Sequence, residues 1–198
     1  VVTVAPIVNT TYSVVGTNTT GCSATETVAI IVNPNPTVTA VVNPTAICVG
    51  SSATITPTVN GGSPAYTFSL DASSTAFPAN VSPIATTVYT IDVIDSKGCT
   101  ATNTVQLIVN AQPTVSASSN PTIICSGSSA TLTGNGAASY TWNPGALTGT
   151  TAVVSPTINT TYTVTGATIA GCSSTNTVDL TVSTNPTITA SALSSTIC

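Results

Sequence analysis

The chain has 198 residues, with one Lys, no Arg, no His and five acidic residues, for a formal net charge of −4. One cation cannot neutralise a run of phosphates or dock on an anionic bilayer, so nucleic acid and charged membrane surfaces are not expected partners. Mean hydropathy is positive at +0.45, yet Pro, Asn or Gly interrupts every apolar run well short of the ~20 residues of a spanning helix, and the strands are too short for an outer-membrane barrel, so no membrane insertion is expected.

The first segment, "IVNTTYSVVGTNTTGCSATETVAIIV" at 7–32, alternates with period two on either side of a turn that holds Cys22. Alternation of Thr with Val, Ile or Tyr predicts half-buried antiparallel strands. Tyr12 opens the first strand and Cys22 follows it by ten residues. The Pro-containing joint "NPNPTVTA" comes next, then "TAICVGSSATITP", with Cys48 at a turn before a strand. "AYTF" at 65–68 puts Phe68 on a third strand. "IATTVYTIDVIDSKGCTATNTVQLIV" at 84–109 then repeats the opening sentence, with Tyr89 and Cys99 again ten apart.

The order recurs. After the joint "NAQPTVSA" come "TIICSGSSATLTG" with Cys125, "SYTW" at 139–142 with Trp142, and "TINTTYTVTGATIAGCSSTNTVDLTV" with Tyr162 and Cys172. A last joint, "STNPTITA", leads to "STIC" and Cys198. Self-similarity at a fixed period divides the chain into the tail of one repeat (1–34), two full repeats (35–111 and 112–185) and the start of another (186–198). Turn signals every ~8–12 residues within a repeat read as a small sandwich of about seven strands. The expected fold is therefore all-β: tandem small immunoglobulin-like β-sandwiches stacked end to end. Phe68 and Trp142 take the place of the aromatic buried between the sheets, and Tyr12, Tyr89 and Tyr162 that of a tyrosine corner. All five are expected core aromatics.

Six cysteines point to an oxidising, extracytoplasmic setting. Structural zinc sites need closely spaced Cys or His pairs, and here His is absent and no two cysteines stand closer than 26 residues. Cys22, Cys48, Cys99, Cys125, Cys172 and Cys198 are therefore disulfide candidates. Within one repeat the two cysteines fall at turns on opposite ends of the sandwich, ~20 Å or more apart, against a disulfide limit of about 7 Å between Cα atoms. End-to-end stacking favours an inter-repeat Cys48–Cys172 bond. Intra-repeat pairs (Cys48–Cys99, Cys125–Cys172) and pairs across each joint (Cys22–Cys48, Cys99–Cys125, Cys172–Cys198) remain open.

Catalytic constellations fail on residue type. Without His, Ser–His and Cys–His arrangements cannot be built, and no catalytic, cofactor-binding or metal residues are expected, nor any cofactor. Asp92 and Asp95 in "IDVIDSKG" lack the ordered ligands of a calcium loop and read as a solvated turn. Lys97 has no counterpart for a general isopeptide cross-link. Asn9, Asn18, Asn80 and Asn159 head N-x-Ser/Thr triplets, a chance product in a chain that is about one-third Thr and Ser.

The order Cys–GSS–YTW–TYTV–GC, as in "CSGSSATLTGNG", "SYTWNPG", "SPTINTTYTVTG" and "GCSSTNTVDLTV", resembles the tandem immunoglobulin-like repeats of giant Bacteroidota surface proteins. These include gliding-motility adhesins and other proteins exported by the type IX system. The resemblance covers essentially the whole chain and implies an extracellular, cell-surface, elongated protein with no catalytic residues. The leading reading is a structural filament or adhesin stalk whose partners are neighbouring repeats, with lateral self-association favoured by the near-neutral surface. The alternative is an adhesive module that binds a glycan or another cell-surface ligand.

Overall fold

In a computed structural model, which describes residues 1–191, the chain is all β. No helix among the described residues is long and apolar enough to cross a membrane. The chain divides into two compact units, Val1–Val109 and a second beginning at Asn110.

The first unit opens with a hairpin, β1 (Thr10–Thr17) and β2 (Ser23–Ile30), paired antiparallel over eight positions from Thr10↔Ile30 to Thr17↔Ser23. A sandwich follows. Its smaller sheet has the order β3 (Thr37–Asn43), β5 (Ala53–Asn60), β8 (Ala79–Val81). Its larger sheet has the order β4 (Ala46–Cys48), β10 (Thr100–Asn110), β9 (Thr87–Ile94), β6 (Thr67–Leu70), β7 (Ser73–Ser74). Inward residues of both sheets, including Val38, Ile55, Ile91 and Leu107, form one core.

The second unit repeats this plan. β11 (Ser116–Asn120), β13 (Ala130–Asn135) and β16 (Thr151–Val154) make the smaller sheet. The larger runs β12 (Ile123–Cys125), β18 (Ser173–Ser183), β17 (Thr160–Ala167), β14 (Ser139–Asn143), β15 (Leu147–Thr148). Its own core gathers around Leu132, Trp142, Val164 and Leu180, all 1% exposed or less.

Each sandwich has eight strands where the sequence suggested about seven, because the first strand changes sheets. β3 passes through a cis Asn43–Pro44 bond into β4, and β11 through a cis Asn120–Pro121 bond into β12. The second piece crosses to the other sheet, where β12 runs parallel to the end of β18. Cys48 and Cys125 therefore end a strand instead of standing in a turn.

Side-chain size is balanced within each core. Trp142 is 1% exposed and donates its indole N–H to the Gly149 carbonyl at 3.1 Å. Room for it comes from Gly134, where an added Cβ would lie 2.8 Å from the Tyr140 ring and 3.3 Å from Trp142. In the first sandwich the register puts Leu70, opposite Ile91, in the place of Trp142, which stands opposite Val164. Phe68, expected there from the sequence, matches Tyr140 instead, with Phe77 edge-on at 5.6 Å. Tyr66 and Tyr140, not singled out in the sequence, tie the neighbouring loop down: Tyr66 donates to the Gly61 carbonyl at 2.7 Å, and the Tyr140 hydroxyl exchanges bonds with Ala137. Tyr89 and Tyr162 are buried, and burial raises both phenol pKa values, with Asp71 adding to the effect on Tyr89. Neither hydroxyl makes a hydrogen bond among the described residues, so neither forms a tyrosine corner, whose hydroxyl bonds back to the chain.

Candidate cross-linking site

The cysteines fall into two geometric classes. The first comprises Cys48 and Cys125, each the last residue of a three-residue strand beside the final strand of its own sandwich. Ser51 N–H bonds to the Cys48 carbonyl at 3.0 Å, and Ser128 N–H to the Cys125 carbonyl at 2.9 Å, so the same tight turn follows both. Cys125 sits opposite Ser183, and Ile108 N–H donates to the Thr45 carbonyl. Both cysteines thus lie where the chain leaves its sandwich. That exit is held by a repeated staple, in which Val32, Val109 and Val182 amides donate to Asn9 Oδ1, Thr86 Oγ1 and Asn159 Oδ1.

Cys22, Cys99 and Cys172 make up the second class, in the turn between the last two strands. The three turns share one hydrogen-bond frame. Asn18, Asp95 and Thr168 each donate their amide to the Cys carbonyl four residues on, at 2.8–3.0 Å, and accept from a glycine amide. Those glycines, Gly21, Gly98 and Gly171, have φ of 82–90°, the left-handed region that L side chains avoid. The side chain of the turn's first residue completes the frame. Asn18 Oδ1 accepts from the Cys22 amide at 3.0 Å, Asp95 Oδ1 from Cys99 at 2.9 Å, and Thr168 Oγ1 from Cys172 at 3.2 Å.

Asp95 corrects the sequence reading. It is 4% exposed rather than solvated. Its carboxylate accepts the amides of Ser63 at 2.8 Å, Lys97 at 2.9 Å and Cys99 at 2.9 Å, which bridges this turn to the loop after β5. The Ser63 bond is the largest influence on its pKa. Burial opposes it, but the Cys99, Lys97 and Gly98 amides add to it, and the net effect holds the carboxyl below its ordinary value. The recurring "NTTGC", "DSKGC" and "TIAGC" frames were the visible signal for this role. Asp92, by contrast, accepts from Thr102 Oγ1 at 2.6 Å on the sheet surface.

Cys48 and Cys172 each take part in a disulfide. Cys22, Cys99 and Cys125 are free thiols, and Cys198 lies outside the described residues. The intra-repeat pairs Cys48–Cys99 and Cys125–Cys172 are therefore not formed, and neither are Cys22–Cys48 and Cys99–Cys125. Geometry explains the first of these. Cys99 precedes Thr100 at the start of β10 and Cys48 lies beside its far end near Ile108. Eight residues of strand separate the two ends by about 27 Å, far beyond the ~7 Å that a disulfide spans. In the second unit, Cys172 is 1% exposed, with its Sγ 3.8 Å from the Asn110 carbonyl and Ser174 Oγ donating to the Pro113 carbonyl. It lies where the chain enters its sandwich. Among the described residues no group of three His, Cys, Asp or Glu could hold a metal ion.

No protein-family model and no curated protein matches the sequence. Solved structures do. The N-terminal eight immunoglobulin domains of Down Syndrome Cell Adhesion Molecule align with 87% of this chain at 16% identity and a TM-score of 0.49. This chain spans 28% of that protein's structure. A 1.5-MDa bacterial ice-binding adhesin aligns over 88% of the chain and 74% of its own, at 16% identity and a TM-score of 0.41. A Ca2+-stabilised adhesin of an Antarctic bacterium aligns over 89% and 57%, also at 16% identity and 0.41.

Proposed function

We propose that this chain is a segment of an extracellular, cell-surface filament or adhesin stalk, in which immunoglobulin-like repeats are locked end to end by a disulfide from Cys48 of one repeat to Cys172 of the next. The units are the repeats 35–111 and 112–185, flanked by parts of further repeats at 1–34 and 186–198. One observation carries the reading: the first-class cysteine sits at the exit of its sandwich and the second-class cysteine at the entrance of its own. Val109 and Asn110 are joined by a peptide bond, so exit and entrance meet along the chain. A bond there removes swivel at the joint and contributes roughly 2–4 kcal/mol.

The role is mechanical. Thr and Asn carry the surface, with charged residues only 3% of the chain, so little repulsion opposes lateral self-association. Cys125, free here, matches Cys48 in position and is suited to the second-class cysteine of a following repeat. The resemblance of the repeats to Bacteroidota surface proteins supports type IX export and a non-enzymatic role.

Non-reducing peptide mapping of the full chain tests the pairing, and small-angle scattering with and without reductant tests the mechanics. A Cys48–Cys172 peptide is expected, together with a spread of inter-unit distances that broadens on reduction or in Cys48→Ser. A dominant Cys48–Cys99 peptide, or a distance distribution indifferent to reduction, overturns the proposal.

A further inference from the structure

The two sandwiches differ on one outer face. In the second, strands β14, β15 and β17 border a cleft of about 410 Å3 lined by Ser139, Thr141, Thr148, Thr150, Thr165 and Ala167. Thr141 stands opposite both Thr148 and Thr165, and Thr165 opposite Thr175. Four threonines therefore form one row across four strands, ~4.8 Å apart. The lining hydroxyls make no hydrogen bond among the described residues, whereas Thr161 and Thr102 spend theirs on Asp179 and Asp92. The matching cleft of the first sandwich is about 230 Å3 and carries the Asp92 carboxylate and Ile94.

From this contrast we propose that the cleft on β14, β15 and β17 binds a neutral carbohydrate. No charged side chain lines it, so an anionic or cationic ligand has no counter-charge there. Hydroxyls that both donate and accept match a polyol, and the Thr and Ala methyls offer apolar patches to the C–H face of a sugar ring. The volume falls within the ~300–1,000 Å3 of small-molecule sites. In the first sandwich the smaller, acid-bearing counterpart is not expected to bind the same ligand. This inference does not depend on the stalk reading, which stands or falls on disulfide mapping.

The test is an amide NMR titration of the full 198-residue chain with maltotriose, cellotriose, mannotriose and chitotriose, and with a sialic acid oligomer as the charged control. At least one neutral trisaccharide is expected to give saturable shifts at Thr141, Thr148, Thr165 and Ala167 at millimolar concentration. The sialic acid oligomer is expected to give none. Thr141→Val and Thr165→Val keep a β-branched residue on the strand and should each weaken binding about tenfold, the equivalent of one hydrogen bond. Thr90→Val, in the first sandwich, should leave binding unchanged. The proposal fails if no neutral sugar moves these amides, if the shifts map elsewhere, or if both valine variants bind as well as the parent. It also fails if the same amides shift with protein concentration alone, which would assign the cleft to a second copy of the chain.

Discussion

Strands β1 and β17 read TTYSVVGT and TTYTVTGA, and each pairs with its successor over eight positions in the same register. Their surroundings differ. Val14 is 67% exposed and its counterpart Val164 is 0%. Tyr12 is half-buried, while Tyr162 is 5% exposed. An added Cβ on Gly16 would meet nothing within 4 Å, but on Gly166 it would meet Val115 Cγ2 at 2.5 Å and Ala137 Cβ at 2.7 Å. Alternating β-branched residues and a shared turn thus suffice for the ladder, but not for burial. Burial of β17 comes from β14, which places Trp142 beside Val164, and from β11 and β13 across the core.

Removing the cover should make the second pair resemble the first. Trp142→Ala is expected to cost about 3–5 kcal/mol by chemical denaturation, the range for a large buried aromatic, and to raise amide exchange through β17 towards that of β1. A loss well under 1 kcal/mol would show that the indole is not what covers Val164. Gly166→Ala drives a methyl into packed side chains and should cost about 1–3 kcal/mol. Gly16→Ala should be neutral or stabilising by about 0.4–1 kcal/mol, since it only restricts the unfolded chain. Equal effects at the two glycines would break the comparison. Val164→Ala should cost about 2 kcal/mol from lost burial and the cavity left behind, with Val14→Ala within about 0.5 kcal/mol of the parent.

The smallest effect concerns the turns. A carboxyl held below its ordinary value adds stability that is present above the unfolded pKa and is lost as pH falls through the folded one. Acidification below about pH 4 should therefore loosen the turn at Asp95, while the turns at Asn18 and Thr168, which use neutral acceptors, do not respond. Hydrogen exchange at the Cys99 amide, compared with Cys22 and Cys172, reads this directly. Asp95→Asn keeps an acceptor and should abolish the response. Acid loosening that persists in that variant would place the titrating group elsewhere.

Strand positions and the two cysteine classes were legible because both are written locally: alternation with period two marks the ladder, and "GC" after a polar turn residue marks the second class. The strand ending at Cys48 was not legible. "AIC" is three residues long, and only its neighbour across the sheet makes it a strand. Asp95 was misread for a related reason, since a carboxylate in a turn looks solvated until Ser63, far off in sequence, closes over it. The hydroxyl-lined cleft escaped notice because its members come from β14, β15, β17 and the residues that follow β15.

By itself the sequence determined an all-β chain of repeated units with few charged residues, because composition and period act residue by residue. Tertiary structure alone decided which cysteines are bonded and which of two matching clefts is free of charge. Each of those outcomes depends on atoms brought together from distant parts of the chain, and a local pattern carries no record of them.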